Sequence, residues 1–414
     1  MLKTLVKVKQ ETEADQLKMA FVKVMVEEAK TIPDTPTKEQ IEAVALSIPH
    51  IAESATELEQ WLEEEDLLPS FEGLENFYDG QGLYEQAEPW YKQCLEVTRR
   101  RLGEENLYVA NSLNNLAYLY HFEGRYKEAE LLLIQALELC KRLLGENHPN
   151  VANSIIFLGF LYYSQGRYEE AEPLYLQALE LLKRLLGNNH PSVAKSLNNL
   201  ALLYHSQGRY EEAEPLYLQA LELYKRLLGE NHPDVALSLN NLAGLYDSQG
   251  KYEEAEPLYL QALELYKRLL GENHPDVATS LNNLAKLYDS QGRHEEAEPL
   301  YLQALELLKR LLGENHPYVA DSLNGLARLY KSQGRYEEAE PLHLQALELR
   351  KRLLGENHSH VAISLNDLAE LYRSQGKYEE AEPLYLQALA IAEQALGENH
   401  PTTVRIRENL ESLP

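Results

Sequence analysis

The stretch from Pro233 to His274 carries two runs of apolar positions at helical spacing, each closed by a glycine. Leu239, Leu242, Ala243 and Tyr246 fall three and four residues apart, on one helix face. Gly250 follows, where a residue is needed that takes the left-handed conformation without a Cβ clash. Ala255, Tyr259, Ala262, Leu263 and Tyr266 form a second run, opened by Tyr252 and stopped by Gly271. Pro233 and Asp234 suit a first helical turn, where one N–H is dispensable and a carboxylate meets the positive helix end. The pattern predicts helix A, a tight turn, helix B and a short loop. Alanines at 243, 255 and 262 let the helices approach closely, and the tyrosines fill the space further out.

This unit recurs every 42 residues without insertion. Tyr84, Tyr126, Tyr168, Tyr210, Tyr252, Tyr336 and Tyr378 mark one column, with His294 in the odd slot. A fixed period of this length means a solenoid, in which each unit buries its apolar face against its neighbours. Repeat 1 begins near Leu67 and is degenerate. Repeats 2 to 8 begin near Asn106, Pro149, Pro191, Pro233, Pro275, Pro317 and Ser359. A proline recurs inside helix B (Pro89, Pro173, Pro215, Pro257, Pro299, Pro341, Pro383), and Leu131 takes its slot in repeat 2. Beyond a first turn a proline removes a backbone hydrogen bond, so a bend near the start of helix B is expected. The chain thus divides into a helical segment over 1–66 that caps the stack, eight repeats over 67–400 and a terminal helix over 401–414. That last helix places Arg405, Arg407 and Glu408 at columns that are apolar or Asn elsewhere, as a solubilising cap should. In the first segment, helices are predicted over 14–29, 39–47 and 52–65, with a break at 31–37.

Leucine, then a small residue, then an aromatic on helix A, with Gly-x-Tyr and alanines on helix B, resembles the tetratricopeptide repeat. The 42-residue length, the LNNLA run and the GENHPDVA linker are similar to the variant found in kinesin light chains and related bacterial proteins. The resemblance runs from about Leu67 to the C-terminus. It implies an all-α, right-handed α-solenoid (a superhelix), with helix A lining the concave side. Kinesin light chains carry a long heptad coiled coil before their repeats. Residues 1–66 are too short and broken for one, which points to a bacterial-type relative rather than a motor light chain.

Composition narrows the function. Acidic residues outnumber basic ones by 66 to 39, a formal charge of −27, which disfavours a nucleic-acid partner. Cys94 and Cys140 lie in different repeats without metal-like spacing, so a reducing, cytoplasmic setting is expected. Residues 1–10 are charged throughout and give no secretory core. The longest apolar run, 155–163, is too short for membrane insertion. Phosphate-loop, serine-hydrolase and zinc-protease motifs do not occur, so a non-enzymatic protein without cofactors is expected.

Three ladders stand out. The linker histidines (148, 190, 232, 274, 316, 358, 400) sit one repeat apart, roughly 10 Å, too far to share a metal, and are expected to close loops ahead of helix A. A basic column (Arg125, Arg167, Arg209, Lys251, Arg293, Arg335, Lys377) is expected to complement the negative end of helix A. Asn114, Asn198, Asn240, Asn282, Asn324 and Asn366, with Asn115, Asn199, Asn241 and Asn283 one column on, place a poor helix former in mid-helix. By the resemblance this ladder faces the groove, where amides hydrogen-bond an extended peptide backbone; the alternative is that they bond the neighbouring repeat. Two further groove columns vary. Tyr118, Phe160 and Leu202, with Phe157 in repeat 3, make the N-terminal half aromatic and apolar; Lys286, Arg328, Lys331 and Arg373 make the C-terminal half basic.

The expectation is a non-catalytic scaffold or adaptor that binds an extended partner peptide, apolar or aromatic toward one end and acidic toward the other. The alternative is a structural, self-associating repeat protein. Residues 57–69, ELEQWLEEEDLLP, resemble the tryptophan-acidic cargo peptides of kinesin-light-chain-like grooves. They are expected either to occupy a neighbouring molecule's groove or to cap repeat 1 with Leu58, Trp61 and Leu62.

Overall fold

The computed structural model describes residues 2–34 and 36–414, with side chains from 13 onward; the sequence expectation about residues 1–10 lies outside the described side chains. Among the described residues every regular element is a helix. They form two compact units, 1–119 and 120–414.

In the second unit the pattern becomes helix pairs with little adjustment. Repeat 5 is Pro233–Ser248 followed by Tyr252–Leu270, and repeat 6 is Pro275–Ser290 followed by His294–Leu312. Leu239, Leu242, Ala243, Ala255 and Ala262 are buried between the pair, so the sequence core is the structural core. Gly250 and Gly271 have φ of 72° and 84°, the left-handed region that ends each helix. Helix B runs continuously through Pro257. Successive A helices contact one another more closely than successive B helices do, which puts helix A on the inner side of an α-solenoid.

The histidine ladder is a set of N-caps. Each of His148, His190, His232, His274, His316, His358 and His400 accepts the backbone N–H two residues on through Nδ1, at 3.0–3.2 Å. The basic column does more than complement a helix end. The Arg209 guanidinium lies 4.0 Å above the Tyr204 ring and donates to Glu172 of the preceding helix B (2.7 Å) and to Glu212 (2.7 Å). Tyr204 donates to Glu172 at 2.9 Å. This Arg–Tyr–Glu clamp recurs with Arg167, Arg293 and Arg335, tying each repeat to the one before. Lys251 reproduces it poorly: its ammonium is 5.4 Å from the Tyr246 ring and 3.6 Å from Glu214. A planar fork makes two bonds where an ammonium makes one. Lys251→Arg is therefore expected to raise the melting temperature by about 1–3 °C, a gain of the order of 0.5 kcal/mol for a partly exposed pair. An unchanged melt would show the clamp to be neutral.

The second unit also returns on itself. His358 Nε2 meets the carbonyl of Phe122 at 2.9 Å across 236 positions in the chain. Its Nδ1 already accepts a backbone N–H, so the proton sits on Nε2 and is donated to Phe122. The imidazole packs against Gly124, where a Cβ would lie 3.0 Å from the ring. His400 sits likewise over Gly166, where a Cβ would clash at 2.5 Å.

In the first unit the helices are Leu2–Ala29, Lys38–Val44 and Ile48–Ala55, the first and third of which pack beside helix A of repeat 1, Leu67–Asp79. The last of them starts earlier than the pattern suggests, because Pro49 fits its first turn, and it stops at Ala55. Residues 59–61 and 64–66 are single 3-10 turns rather than the end of a helix over 52–65. Turning there puts Leu62 (3% exposed) into the buried cluster that holds Leu67, Phe71 and Leu74, with Leu58 and Trp61 packed against that cluster. Arg101 donates to the carbonyls of Glu59 and Leu62, the first of which also accepts the Leu62 N–H of its turn. Gly73 lets the first helix in: a Cβ there would lie 2.7 Å from that of Ala29.

Candidate peptide-binding face

Helix A places the asparagines on the inner side, where the structure divides them. The first column is largely bonded within the stack. Asn198 Oδ1 accepts from Asn241 Nδ2 (3.2 Å), and Asn366 Oδ1 accepts from Asn409 (3.0 Å). Asn240 donates to Ser280, and Asn282 accepts from Ser322, both at 3.2 Å. Asn324 is buried between His343 Nδ1 (2.7 Å) and Asp367 (2.5 Å). The buried Oδ1 atoms of Asn114 and Asn240 have no bonding partner. Asn115 lies beside Glu75 in the first unit. Asn199 and Asn283 are half-buried and make no side-chain hydrogen bond to a described residue, so their amides stand open on the inner face.

The two variable columns keep their sequence polarity in part. In the first unit Tyr118 is 45% exposed. In the second, Phe157 is exposed and Phe160 packs 5.0 Å from His121 and 6.3 Å from Tyr163. Leu202 is half-buried beyond them. Burial pushes the His121 imidazole down to about 4, leaving it a neutral ring in an aromatic patch. The basic half is less open than the sequence suggests. Lys331 pairs with Glu370 at 2.6 Å, Arg373 donates to Ser412 at 2.5 Å, and Lys286 lies 3.9 Å from Asp247; Arg328 is exposed.

Sequence reasoning did not connect Tyr259 with Gly244 and Asp247 on the inner face of repeat 5. A Cβ on Gly244 would lie 3.4 Å from the Tyr259 hydroxyl and 3.9 Å from His205 Cε1. The signal was available: Gly244 is the one residue without a side chain in a column that otherwise reads Tyr, Phe, Leu, Lys, Arg, Glu. Among the described residues no helix is long and apolar enough to cross a membrane. Cys94 and Cys140 are buried free thiols.

Tandem helix pairs, an inner face of varied side chains and clamps between neighbours define a helical-repeat protein built to present a surface. The chain belongs to the tetratricopeptide repeat family. The family model matches in overlapping windows over 76–142, 123–184, 155–226, 192–268, 234–310, 290–352, 319–394 and 360–413. Structures named for kinesin light chains are among those the chain is similar to. BtubC (BKLC) from P. vanneervenii is 29% identical, with 56% of this chain and 94% of that one aligned and a TM-score of 0.46. A Podosopora anserina putative kinesin light chain with nearly identical TPR-like repeats is 30% identical over 50% and 97%, with a TM-score of 0.41. A Rap protein complexed with Competence and Sporulation Factor shares the fold over 92% of this chain and 98% of that one, at 16% identity and a TM-score of 0.59. No protein of curated function matches the sequence.

Proposed function

We propose that the chain is a non-catalytic adaptor whose inner helix A face holds an extended segment of a partner protein. The observation that carries this is the pair of open amides at Asn199 and Asn283, set among side chains that differ from repeat to repeat while the rest of the repeat hardly changes. An amide offers two donors and an acceptor, which suits a peptide backbone of any sequence. The aromatic patch of His121, Phe160 and Tyr163 favours an apolar or aromatic residue at one end of the segment. Arg328 favours an acidic one toward the other. The tetratricopeptide repeat fold supports a protein partner.

The test is selection from a random twelve-residue peptide library, followed by calorimetry on the retained peptides. Asn199→Ala with Asn283→Ala is expected to weaken binding about tenfold or more, at about 1 kcal/mol for each hydrogen bond, and to leave the melting temperature within about 2 °C. Asn240→Ala with Asn282→Ala should do the reverse, because those amides bond the next repeat. A library that yields no binder, or open-amide variants that bind unchanged, would overturn the proposal.

One observation favours a second reading, self-association. Leu176, Leu218, Leu260, Leu302, Leu344 and Leu386 form a column on helix B, each 43–51% exposed. Light scattering over a concentration series separates the two, since a monomer throughout leaves that column without a second copy.

A further inference from the structure

The inner face of repeat 5 differs from its neighbours in two independent ways. The first is the notch at Gly244. In repeats 4 and 8, which carry Leu202 and Glu370 in this column, the hydroxyls of Tyr217 and Tyr385 are buried and unbonded. A Cβ on Gly244 would meet only the Tyr259 hydroxyl (3.4 Å) and His205 Cε1 (3.9 Å) within 4 Å. The phenol is held well above its ordinary range by burial and by Asp247, so it stays protonated.

The second is Asp247, which is only 9% exposed. Its counterpart in repeat 6, Asp289, accepts from Ser332 (3.0 Å) and pairs with His294 (3.1 Å). Asp247 has neither. Tyr252 stands in the histidine column, and Ser290 donates instead to the Lys286 carbonyl at 3.0 Å. Its side chain meets one described partner, the 64% exposed Lys286 ammonium at 3.9 Å, beyond hydrogen-bond length. With only Lys286 as a described partner, the Asp247 carboxylate keeps acceptor capacity for a donor on a bound group.

We infer that the Gly244 notch is a seat for one neutral carboxamide side chain, asparagine or glutamine, of the bound peptide. The amide NH2 donates to Asp247, and its carbonyl accepts from the Tyr259 hydroxyl and from Lys286. Charge and shape select this class. An anion meets the Asp247 carboxylate. A cation meets Lys286. An apolar side chain leaves Asp247 and Tyr259 without partners. His205, whose Nε2 is 2.9 Å from Ser248 Oγ and whose imidazole is pushed down by burial and by Lys286, walls the seat without charge. Sites built to hydrogen-bond a group discriminate strongly against analogues that lack it.

The inference rests on the inner-face reading above, and its test separates the two. Peptides from the twelve-residue library are aligned, and the asparagine or glutamine they share is replaced by Leu, Glu and Lys in turn. Each replacement is expected to weaken binding to the full chain by tenfold or more. Gly244→Leu installs the residue that repeat 4 carries and closes the notch. With it the four peptides should bind within about twofold of each other, at unchanged melting temperature. Tyr259→Phe removes only the hydroxyl and is expected to cost the carboxamide peptide, and not the Leu peptide, about fivefold; it decides the matter if Gly244→Leu fails to fold. Retained peptides with no shared carboxamide, or equal discrimination in the variants, overturn the seat and leave the groove standing. A library that yields no binder overturns both.

Discussion

Acidification from pH 7 to 4.5 is expected to lower the melting temperature of the second unit by about 10 °C or more, most of it below pH 6.5. Four histidines there are held neutral by burial: His358, pushed down to about 3, and His121, His343 and His400, each to about 4. Their folded pKa values lie below the unfolded value near 6.5. The stability they contribute is therefore complete above that value and is lost as pH falls toward the folded one. Each is expected to cost of the order of 2–3 kcal/mol of stability at pH 4.5 relative to pH 7.

The surroundings offer little to hold an added proton. His358 faces His121, His360 and Arg350, with the Phe122 carbonyl on Nε2 and a backbone N–H on Nδ1. A proton on Nδ1 would meet that N–H and break the cap. His121 faces His360, and His400 faces Arg405 and the Ser164 backbone. His343 has Asp367 and Glu370 nearby but also Lys331 and Arg328. A distance measurement between labels beside Gly124 and His358 should show the two segments parting before helix content falls. His343→Tyr restores the residue that most repeats carry there and is expected to recover a few degrees at pH 4.5 and little at pH 7. A flat melting profile between pH 7 and 4.5 would exclude the histidines as stability determinants.

In the first unit the sign reverses. Glu75 occupies the column that is alanine or glycine in the other repeats, is 2% exposed, and has one carboxyl oxygen unbonded. Burial, with Glu72 and Asp79 beside it, pushes its carboxyl well above the usual range, and burial raises Asp79 to about 6. A carboxyl with a raised folded pKa adds stability that is complete below its unfolded value near 4 and is lost as pH rises through the folded value. This unit is expected to tighten on mild acidification. Glu75→Gln keeps the volume and removes the charge, and should stabilise residues 67–102 by about 2 kcal/mol at pH 7, with less gain at pH 5. Hydrogen exchange over that segment reads it directly. Faster exchange in the variant at pH 7 would mean that the carboxylate makes bonds the geometry does not reveal.

What the sequence determined by itself is local. The 42-residue period, the helix pairs, the glycine stops and the histidines ahead of helix A rest on contacts within one repeat or with the next, and the periodicity records those contacts. The all-α solenoid followed from them. The helix ends around Pro49 and residues 57–66 were misplaced by the pattern because burying Trp61 and Leu62 against repeat 1 outweighs the local preference for a longer helix. What only the tertiary structure decided depends on how small rotations per repeat add up and how one helix sits over the next. The meeting of His358 with Phe122 is set by that accumulated rotation across 236 positions, which no window of sequence contains. The division of asparagines into bonded rungs and open amides depends on which side chain the next repeat places opposite each one. The gap at Gly244 was visible in its column, but only helix packing placed the Tyr259 hydroxyl beside it.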